Sequence, residues 1–458
     1  MRLSDASTPR LPTFVARPDY DRHAQRAGIV HLGIGAFHRA HQAVYTDLAM
    51  AAGDRDWAIT GVSLRSRQVH DQLTPQNGLY TVTERRPGGD ATRLIGAVTR
   101  VVVAPDEPGR VVAALTAPAT RIVTLTVTEK GYAPNEHESA AADAVPTTIY
   151  DYLAAAVVAR LNAGSSPLTL ISCDNLSNNG RVLHERLCAR LEAISPQHRR
   201  WFEQAWTCPS TMVDRIVPAT TAADLNTIEA ALGQRDEGAV ITEPYSQWVI
   251  EDCFAGERPR WEVAGAQFVT DVKSFETAKL RMLNGAHSAL AYLGLARGHT
   301  FVHQAIADPQ IEPIVSRLMR EEAAPSIAAK PDQQLDRYAD LLLARFRNPA
   351  LPHRLLQIAA DGSQKIPARW LSTLADNRAS GRQSPAILSA IAAWVAFVRG
   401  DQHQVDDPKA SLLADAWTRA GSYGVVDVLF ATPELFEGEL TLTIHERTHV
   451  RQFLTNFL

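Results

Sequence analysis

The feature that most constrains this chain is a change of texture near residue 272. Before it, apolar runs of strand type alternate with segments of helical periodicity. After it, the pattern is almost entirely helical. Strand-like runs cover 29–35, 57–64, 121–129 and 168–175, and helical periodicity fills 36–52 and 147–163 between them. Strands that alternate with helices are joined by crossovers, so this half predicts an α/β domain with a parallel-rich sheet covered by helices. Residues 78–86 and 94–103 read as extra strands, arranged as a meander. Segments 275–296, 311–323, 335–346, 385–398 and 409–420 predict helices. A chain of 458 residues exceeds what one core usually organises, which gives two domains, 1–272 and a mostly α-helical 273–458, with the boundary inside 265–275.

Several classes of function are excluded by what the chain lacks. Its four cysteines, Cys173, Cys188, Cys208 and Cys253, are far apart and show no paired C-x-x-C spacing. That argues for no metal site and for a reducing compartment, with cytoplasm the default. The amino terminus carries no apolar run of signal-peptide type, and the longest apolar stretch, 386–398, is too short to span a bilayer. It reads as a buried helix. A net charge of −4 with interspersed signs gives no electrostatic case for nucleic acid or an anionic membrane. Small molecules remain as ligands, bound by a monomer or small homo-oligomer.

The first strand, Ile29-Val-His-Leu-Gly33-Ile-Gly35-Ala-Phe-His-Arg-Ala40, runs into glycines and then a helix. In that context Gly33 permits a tight turn, Gly35 lets a dinucleotide pyrophosphate approach the backbone, and amides at the helix start supply donors. Ala36 and Phe37 complete the candidate cofactor-binding turn. The third glycine position is occupied by His38, and such turns are also purely structural in many folds. His38, Arg39 and His41 either add polar groups beside the phosphates or form a solvated first helical turn. A ribose-binding acid belongs near the end of the second strand, yet that end reads Leu64-Arg65-Ser66-Arg67-Gln68, with no acid until Asp71. Arg65 and Arg67 suit a 2′-phosphate as well as solvent, so the choice between NAD and NADP is not visible here.

A second segment, Lys279-Leu-Arg-Met-Leu-Asn-Gly-Ala-His287, carries an amine, an amide and an imidazole on a helix-compatible stretch. At about 100° per residue, Asn284 and His287 fall about 140° and 80° round an α-helix from Lys279, and Glu276 about 60°. All four can share one face. Leu280, Met282 and Leu283 interleave with them, and dry surroundings disfavour the charged form of lysine. A neutral lysine can take a proton. Lysine is also scarce: Lys130, Lys273, Lys279, Lys330, Lys365 and Lys409 are the only ones among 46 basic residues. Arginine cannot deprotonate at ordinary pH, so a base must stay lysine. The plainer alternative is an amphipathic surface helix.

The segments Gly-Ile-Gly-Ala-Phe-His-Arg-Ala-His-Gln-Ala and Lys-Leu-Arg-Met-Leu-Asn-Gly-Ala-His-Ser resemble the mannitol dehydrogenase family of long-chain polyol-specific dehydrogenases. The likeness continues through Thr126-Val-Thr-Glu-Lys-Gly-Tyr132, Ser172-Cys-Asp-Asn175, Met212-Val-Asp-Arg215, Gln247-Trp-Val-Ile-Glu-Asp252 and Asp361-Gly-Ser-Gln-Lys365. It implies an amino-terminal Rossmann-type domain, a helical carboxy-terminal domain, a substrate cleft between them and no metal. Carried over residue by residue, it makes Lys279 the general base. Asn175 and Asn284 stabilise the developing oxyanion, and His287, Asp214 and Lys365 hold and orient a polyhydroxy substrate. Glu276 links the lysine to solvent. This fits oxidation of a secondary alcohol, in which hydride leaves carbon, a base removes the hydroxyl proton, and the partial alkoxide needs donors.

Within the family, Pro352-His-Arg-Leu-Leu-Gln357-Ile-Ala-Ala-Asp-Gly-Ser-Gln-Lys-Ile-Pro367 looks more like the fructuronate reductase (D-mannonate oxidoreductase) branch than the mannitol branch, whose members tend to carry Arg at the place of Gln357. A sugar acid brings a carboxylate that needs a cation, for which His353, Arg354 and Lys365 are the candidates; the plainer alternative is that His353 and Arg354 cap or decorate a surface helix. The expectation is interconversion of D-mannonate and D-fructuronate with NAD, with NADP open. The alternative substrate is mannitol, arabinitol or sorbitol, giving a 2-ketose. A cofactor-binding protein that had lost turnover would show damaged chemistry, whereas the expected base, amides and imidazole are all present.

Overall fold

The computed structural model describes residues 1–132, 145–330, 333–436 and 441–457. The chain divides into two compact units, Met1–Val272 and Lys273–Leu458.

In the first unit five strands lie parallel in the order Val98–Val103, Ala58–Ser63, Ala27–Leu32, Ile122–Leu125, Thr169–Ser172. The chain winds outward from Ala27–Leu32 on one side, then returns to fill the other. The topological switch point therefore lies between Ala27–Leu32 and Ile122–Leu125, and in such sheets ligands bind beyond the carboxyl ends of the strands at that point. Period-two side-chain placement explains the near-continuous apolar character. Ile29 packs on one face with Ile59 and Ile122, while Val30 and Leu32 pack on the other with Val62 and Leu125. Each such burial contributes roughly 1.5–3 kcal/mol.

The strands are shorter than the apolar runs that announced them. The surplus residues, 33–35, 126–129 and 173–175, leave the sheet at its carboxyl edge as loops, the second of which runs into a 3-10 turn over Glu129–Tyr132. Helical periodicity over 36–52 resolves into Ala36–Ala40 and Gln42–Ala51, broken at His41 (φ −122°, ψ −92°). There tertiary packing overrides propensity, because the His41 imidazole reaches Gln247 O at 2.9 Å and packs on Trp248. Segment 94–103 is not one strand of a meander. Ala91–Ile95 pairs antiparallel with Tyr80–Glu84, whereas Val98–Val103 joins the main sheet. The chain breaks at Gly96, whose N–H donates to the buried Asp47 carboxylate at 2.9 Å. A further small sheet holds Thr211–Asp214 antiparallel to Gln247–Glu251.

The second unit is helical around Gly285–Ala296 and Pro385–Phe397, both buried on nearly every face, as expected of helices apolar all round. The segment 275–296 is not one α-helix. It runs as α over Lys273–Ala278, π over Lys279–Asn284 and α again over Gly285–Ala296. Two more π segments, Leu318–Ala323 and Pro367–Leu371, occur in this unit. The helix begun near 409 extends as Ala410–Ala431 through a break at Gly421 (φ 56°). Among the described residues no helix is long and apolar enough to cross a membrane.

Candidate active site

The glycine turn leaves the first strand at the switch point. Gly33 has φ +94°, and a Cβ added there would lie 2.3 Å from Thr126 O, so close strand packing and the left-handed backbone both demand glycine. At Gly35 an added Cβ would meet only Gly33 O, at 3.8 Å. Its open side is unfilled by protein and fits the close approach of a phosphate. A short hydrogen-bond chain fixes the turn. The Thr126 hydroxyl donates to Gly33 O at 2.8 Å, so it must accept from His31, whose Nε2 lies 2.9 Å away. That assigns the His31 proton to Nε2 and leaves Nδ1 to accept from the Thr124 hydroxyl at 2.8 Å. The tautomer requires a neutral ring, and burial pushes the His31 pKa down to about 3. His38 stacks on His31 with ring centroids 3.4 Å apart and is held neutral by the same burial. Arg39 Nε donates to Gly35 O at 3.3 Å. Ala36 and Phe37 sit half-buried at the start of the helix, Phe37 stacked on His41. Arg65 is exposed past the end of Ala58–Ser63, while Arg67 is engaged by Asp106.

Asn175 follows Thr169–Ser172 and is exposed. Its position is set by its neighbour Asp174, a buried carboxylate that accepts from Thr128 N at 2.7 Å, Val127 N at 3.1 Å and the Tyr132 hydroxyl at 2.7 Å. Burial raises the Asp174 pKa, and these donors oppose the rise. Asn179 closes the loop from below, donating to Asp174 O at 3.0 Å and to Thr211 O at 2.9 Å. Asp214 is buried at the end of Thr211–Asp214, opposite Gln247.

In the second unit Lys279 and Asn284 are the two ends of one π segment. Gly285 N donates to Leu280 O, five residues back, in place of the α-helical four. The angles drawn for an α-helix therefore do not hold. The i→i+5 ladder sets Lys279 and Asn284 one turn apart, as i and i+4 are in an α-helix. Lys279, Glu276, Asn284 and His287 are all half-buried. The turn is pinned from two sides. Arg281 donates to Ser326 O at 2.9 Å and pairs with Asp376 at 2.6 Å. From Pro367–Leu371, Arg369 donates to Asn284 O at 3.3 Å and Ser288 Oγ at 2.7 Å, and the Trp370 indole donates to Gly285 O at 3.1 Å.

His287 packs against Phe346 (centroids 4.8 Å) and His353 (5.7 Å). Burial, then the charges of His353, Arg345 and Arg369, hold its pKa well below the ordinary value, and burial lowers that of His353 too. Both rings are neutral at pH 7. This desolvation works against a charged His353 as partner for a carboxylate, because taking an imidazolium out of water is costly. Arg354 is exposed and lies over the Phe301 ring at 5.6 Å, so aromatic packing rather than this cluster engages it. Lys365 donates to Ala360 O at 2.6 Å and sits 3.7 Å from Asp361, with burial and the charge of Arg369 lowering its pKa.

A mannitol dehydrogenase Rossmann-domain family model matches residues 27–263, and the mannitol dehydrogenase C-terminal domain matches residues 271–452. The chain belongs to the mannitol dehydrogenase family. It is 39% identical over 408 residues to D-mannonate oxidoreductase of Escherichia coli K12, covering 85% of this chain and 84% of that protein. It is 37% identical over 436 residues to mannitol 2-dehydrogenase of Phaeosphaeria nodorum, covering 90% and 77%. Its fold is similar to that of Pseudomonas fluorescens mannitol 2-dehydrogenase in a ternary complex with NAD and D-mannitol, with TM-score 0.82, 33% identity, and coverage of 100% and 96%. The chain is thus an oxidoreductase with a NAD-binding Rossmann fold, acting on a secondary alcohol of a polyol or sugar acid.

In this member of the mannitol dehydrogenase family, sequence reasoning missed Arg369 and Asp174. Arg369 lies four residues after Lys365 in Lys365-Ile-Pro-Ala-Arg369, a helical spacing that shares a face. That spacing was the available signal. Asp174 was visible only as a neighbour of Asn175, since its role is to bond backbone amides far along the chain.

Proposed function

We propose that the enzyme interconverts D-mannonate and D-fructuronate with NAD, taking NADP as the open second choice. The observation that carries the chemistry is the single π segment with Lys279 at one end and Asn284 at the other. A base and an oxyanion donor so fixed suit proton removal from a secondary alcohol without a metal.

We assign the glycine turn to the dinucleotide: Gly33 and Gly35 with Ala36 and Phe37 at the pyrophosphate, and Arg65 toward the ribose. NAD, when bound, supplies the hydride acceptor. Lys279 takes the hydroxyl proton at Nζ, and Glu276 passes it to solvent. The Asn284 and Asn175 amides donate to the developing alkoxide. Neutral His287 both donates and accepts, which suits a hydroxyl, and Asp214 and Lys365 hold further substrate oxygens. The four cysteines are free thiols, and we place the enzyme in the cytoplasm.

Support for the sugar acid comes from the likeness to D-mannonate oxidoreductase. A second reading, a polyol 2-dehydrogenase, is favoured by the likeness to mannitol 2-dehydrogenases. Purified enzyme assayed with fructuronate, fructose and xylulose, each with NADH and NADPH, separates them. The proposal expects the highest kcat/KM with fructuronate and NADH. A higher value with fructose or xylulose replaces it with the second reading.

A further inference from the structure

Arg369 stands on the π segment Pro367–Leu371 and is half-buried. Through Nη1 alone it donates to Asn284 O and Ser288 Oγ. Among the described residues no carboxylate pairs with it, and its Nε and Nη2 find no acceptor. These two N–H groups share one edge of the guanidinium. It is the edge with which arginine grips a carboxylate through two parallel hydrogen bonds.

Neighbouring cations are arranged differently. Arg281, which pins the same turn from the other side, has Asp376 at 2.6 Å. Lys365 has Asp361 at 3.7 Å and Ala360 O at 2.6 Å. Arg160, in the first unit, also lacks a carboxylate, but its spare Nε and Nη1 are sealed from solvent. Those of Arg369 are not so sealed. A guanidinium partly withdrawn from water without a counter-charge is costly unless an anion joins it. This one hangs from the backbone oxygen of Asn284, the residue assigned to the alkoxide, and neutral His287 and His353 do not compete for an anion.

We propose that Arg369 is the counter-ion for the carboxylate of the sugar-acid substrate and so selects an aldonate over a neutral polyol. The proposal rests on the hexonate reading given above. The substrate carboxylate lies several carbons from the reacting carbinol. Its cation must therefore stand near the base and the amide yet apart from them, and Nη1 anchoring gives Arg369 that place. Holding the guanidinium by one nitrogen leaves its fork rigid and open, which reduces the ordering cost of binding.

The test compares kcat/KM for fructuronate and for fructose with NADH in the wild type, Arg369→Gln and Arg369→Lys. Glutamine keeps an amide donor for Asn284 O and removes the charge. The fructuronate-to-fructose ratio of kcat/KM is expected to fall about 30-fold or more in Arg369→Gln, chiefly through KM for fructuronate. Arg369→Lys is expected to recover part of that loss. Equal losses with both substrates would show that Arg369 only positions the turn, and would overturn the proposal. Should Arg369→Gln not fold, Arg369→Lys decides: an unchanged ratio there overturns the proposal, and a tenfold fall supports it. Failure of the hexonate reading shows separately, as a wild type that prefers fructose before any substitution is made.

Discussion

Lys279 and Asn284 are joined by one π turn that is held open by side chains from elsewhere in the second unit, Arg281 paired with Asp376 on one side and Arg369 and Trp370 on the other. A π turn is a costly local geometry that recurs at functional sites, and here it fixes the spacing between the proposed base and an amide. Replacing the amine by Lys279→Met should lower kcat by about 10²- to 10⁴-fold, the usual worth of a general base. Because Lys279 is only half-buried, the thermal midpoint should stay within a few degrees. Steady-state kinetics beside a melting curve check both, and retention of a tenth or more of the activity would remove Lys279 from the mechanism.

The buried imidazoles make the fold sensitive to acid. His31 is held near pKa 3, and His38 and His287 well below their ordinary value. A histidine with a depressed folded-state pKa binds more protons when unfolded. Its contribution to stability is thus complete above about pH 6.5 and is lost as pH falls below that value. The His31 ring alone should cost about 2 kcal/mol at pH 5 relative to pH 7. Urea denaturation at pH 7, 6 and 5 should show the fall, and His31→Gln should make it shallower. An identical slope in the variant would show that His31 is not among the responsible groups.

Much of this architecture is legible in the chain. Ile29, Val30 and Leu32 face two different cores, and that demand wrote the apolar run from which the strand was read. The helix Leu335–Phe346 is delimited by its own periodicity. Pattern reading failed where tertiary contacts decide local form. His41 breaks a helix to reach Gln247 O, and Gly96 divides two strands because Asp47 binds its amide. The π segment was invisible because an apolar period of 3.6 residues is assumed before any helix is drawn. Among candidate site residues, Lys279, Asn284 and His287 were singled out by their shared segment. Arg369 was not, since its significance lies in the carboxylate it lacks. The desolvation of His353, which opposes a charged ring, cannot be read from residue type.

Gly33 and Gly35 should separate fold from cofactor binding. Gly33→Ala forces a β-carbon against Thr126 O at a backbone of φ +94°, a strain of about 1–2 kcal/mol before the clash is counted. It should lower the melting temperature by several degrees as well as activity. Gly35→Ala meets nothing nearer than Gly33 O at 3.8 Å, so the fold should be nearly unaffected while KM for NAD rises about tenfold or more. Equal melting temperatures for the two variants would contradict the assignment of Gly33 to the fold.

Glu322 supplies the opposing pH response. Its buried carboxylate accepts Ala386 N and Ile387 N, each at 2.8 Å, and so caps the amino end of the central helix Pro385–Phe397. Burial nevertheless outweighs those bonds and the nearby Arg317, pushing its pKa up to about 7 from 4.5. A carboxyl with a raised folded-state pKa binds more protons when folded, so its contribution is greatest below pH 4.5 and is lost as pH rises toward 7. That loss amounts to about 3 kcal/mol, in the window where the histidines act in the reverse sense. The wild-type profile is therefore flatter than either part, and only a variant exposes the carboxyl. Glu322→Gln can accept one backbone N–H and opposes the other, which should cost about 1–3 kcal/mol at pH 5. The deficit should shrink or reverse by pH 8, because the variant has no charge to bury. Denaturation midpoints of both proteins across that range decide the matter, and parallel curves would show that Glu322 does not titrate in this window.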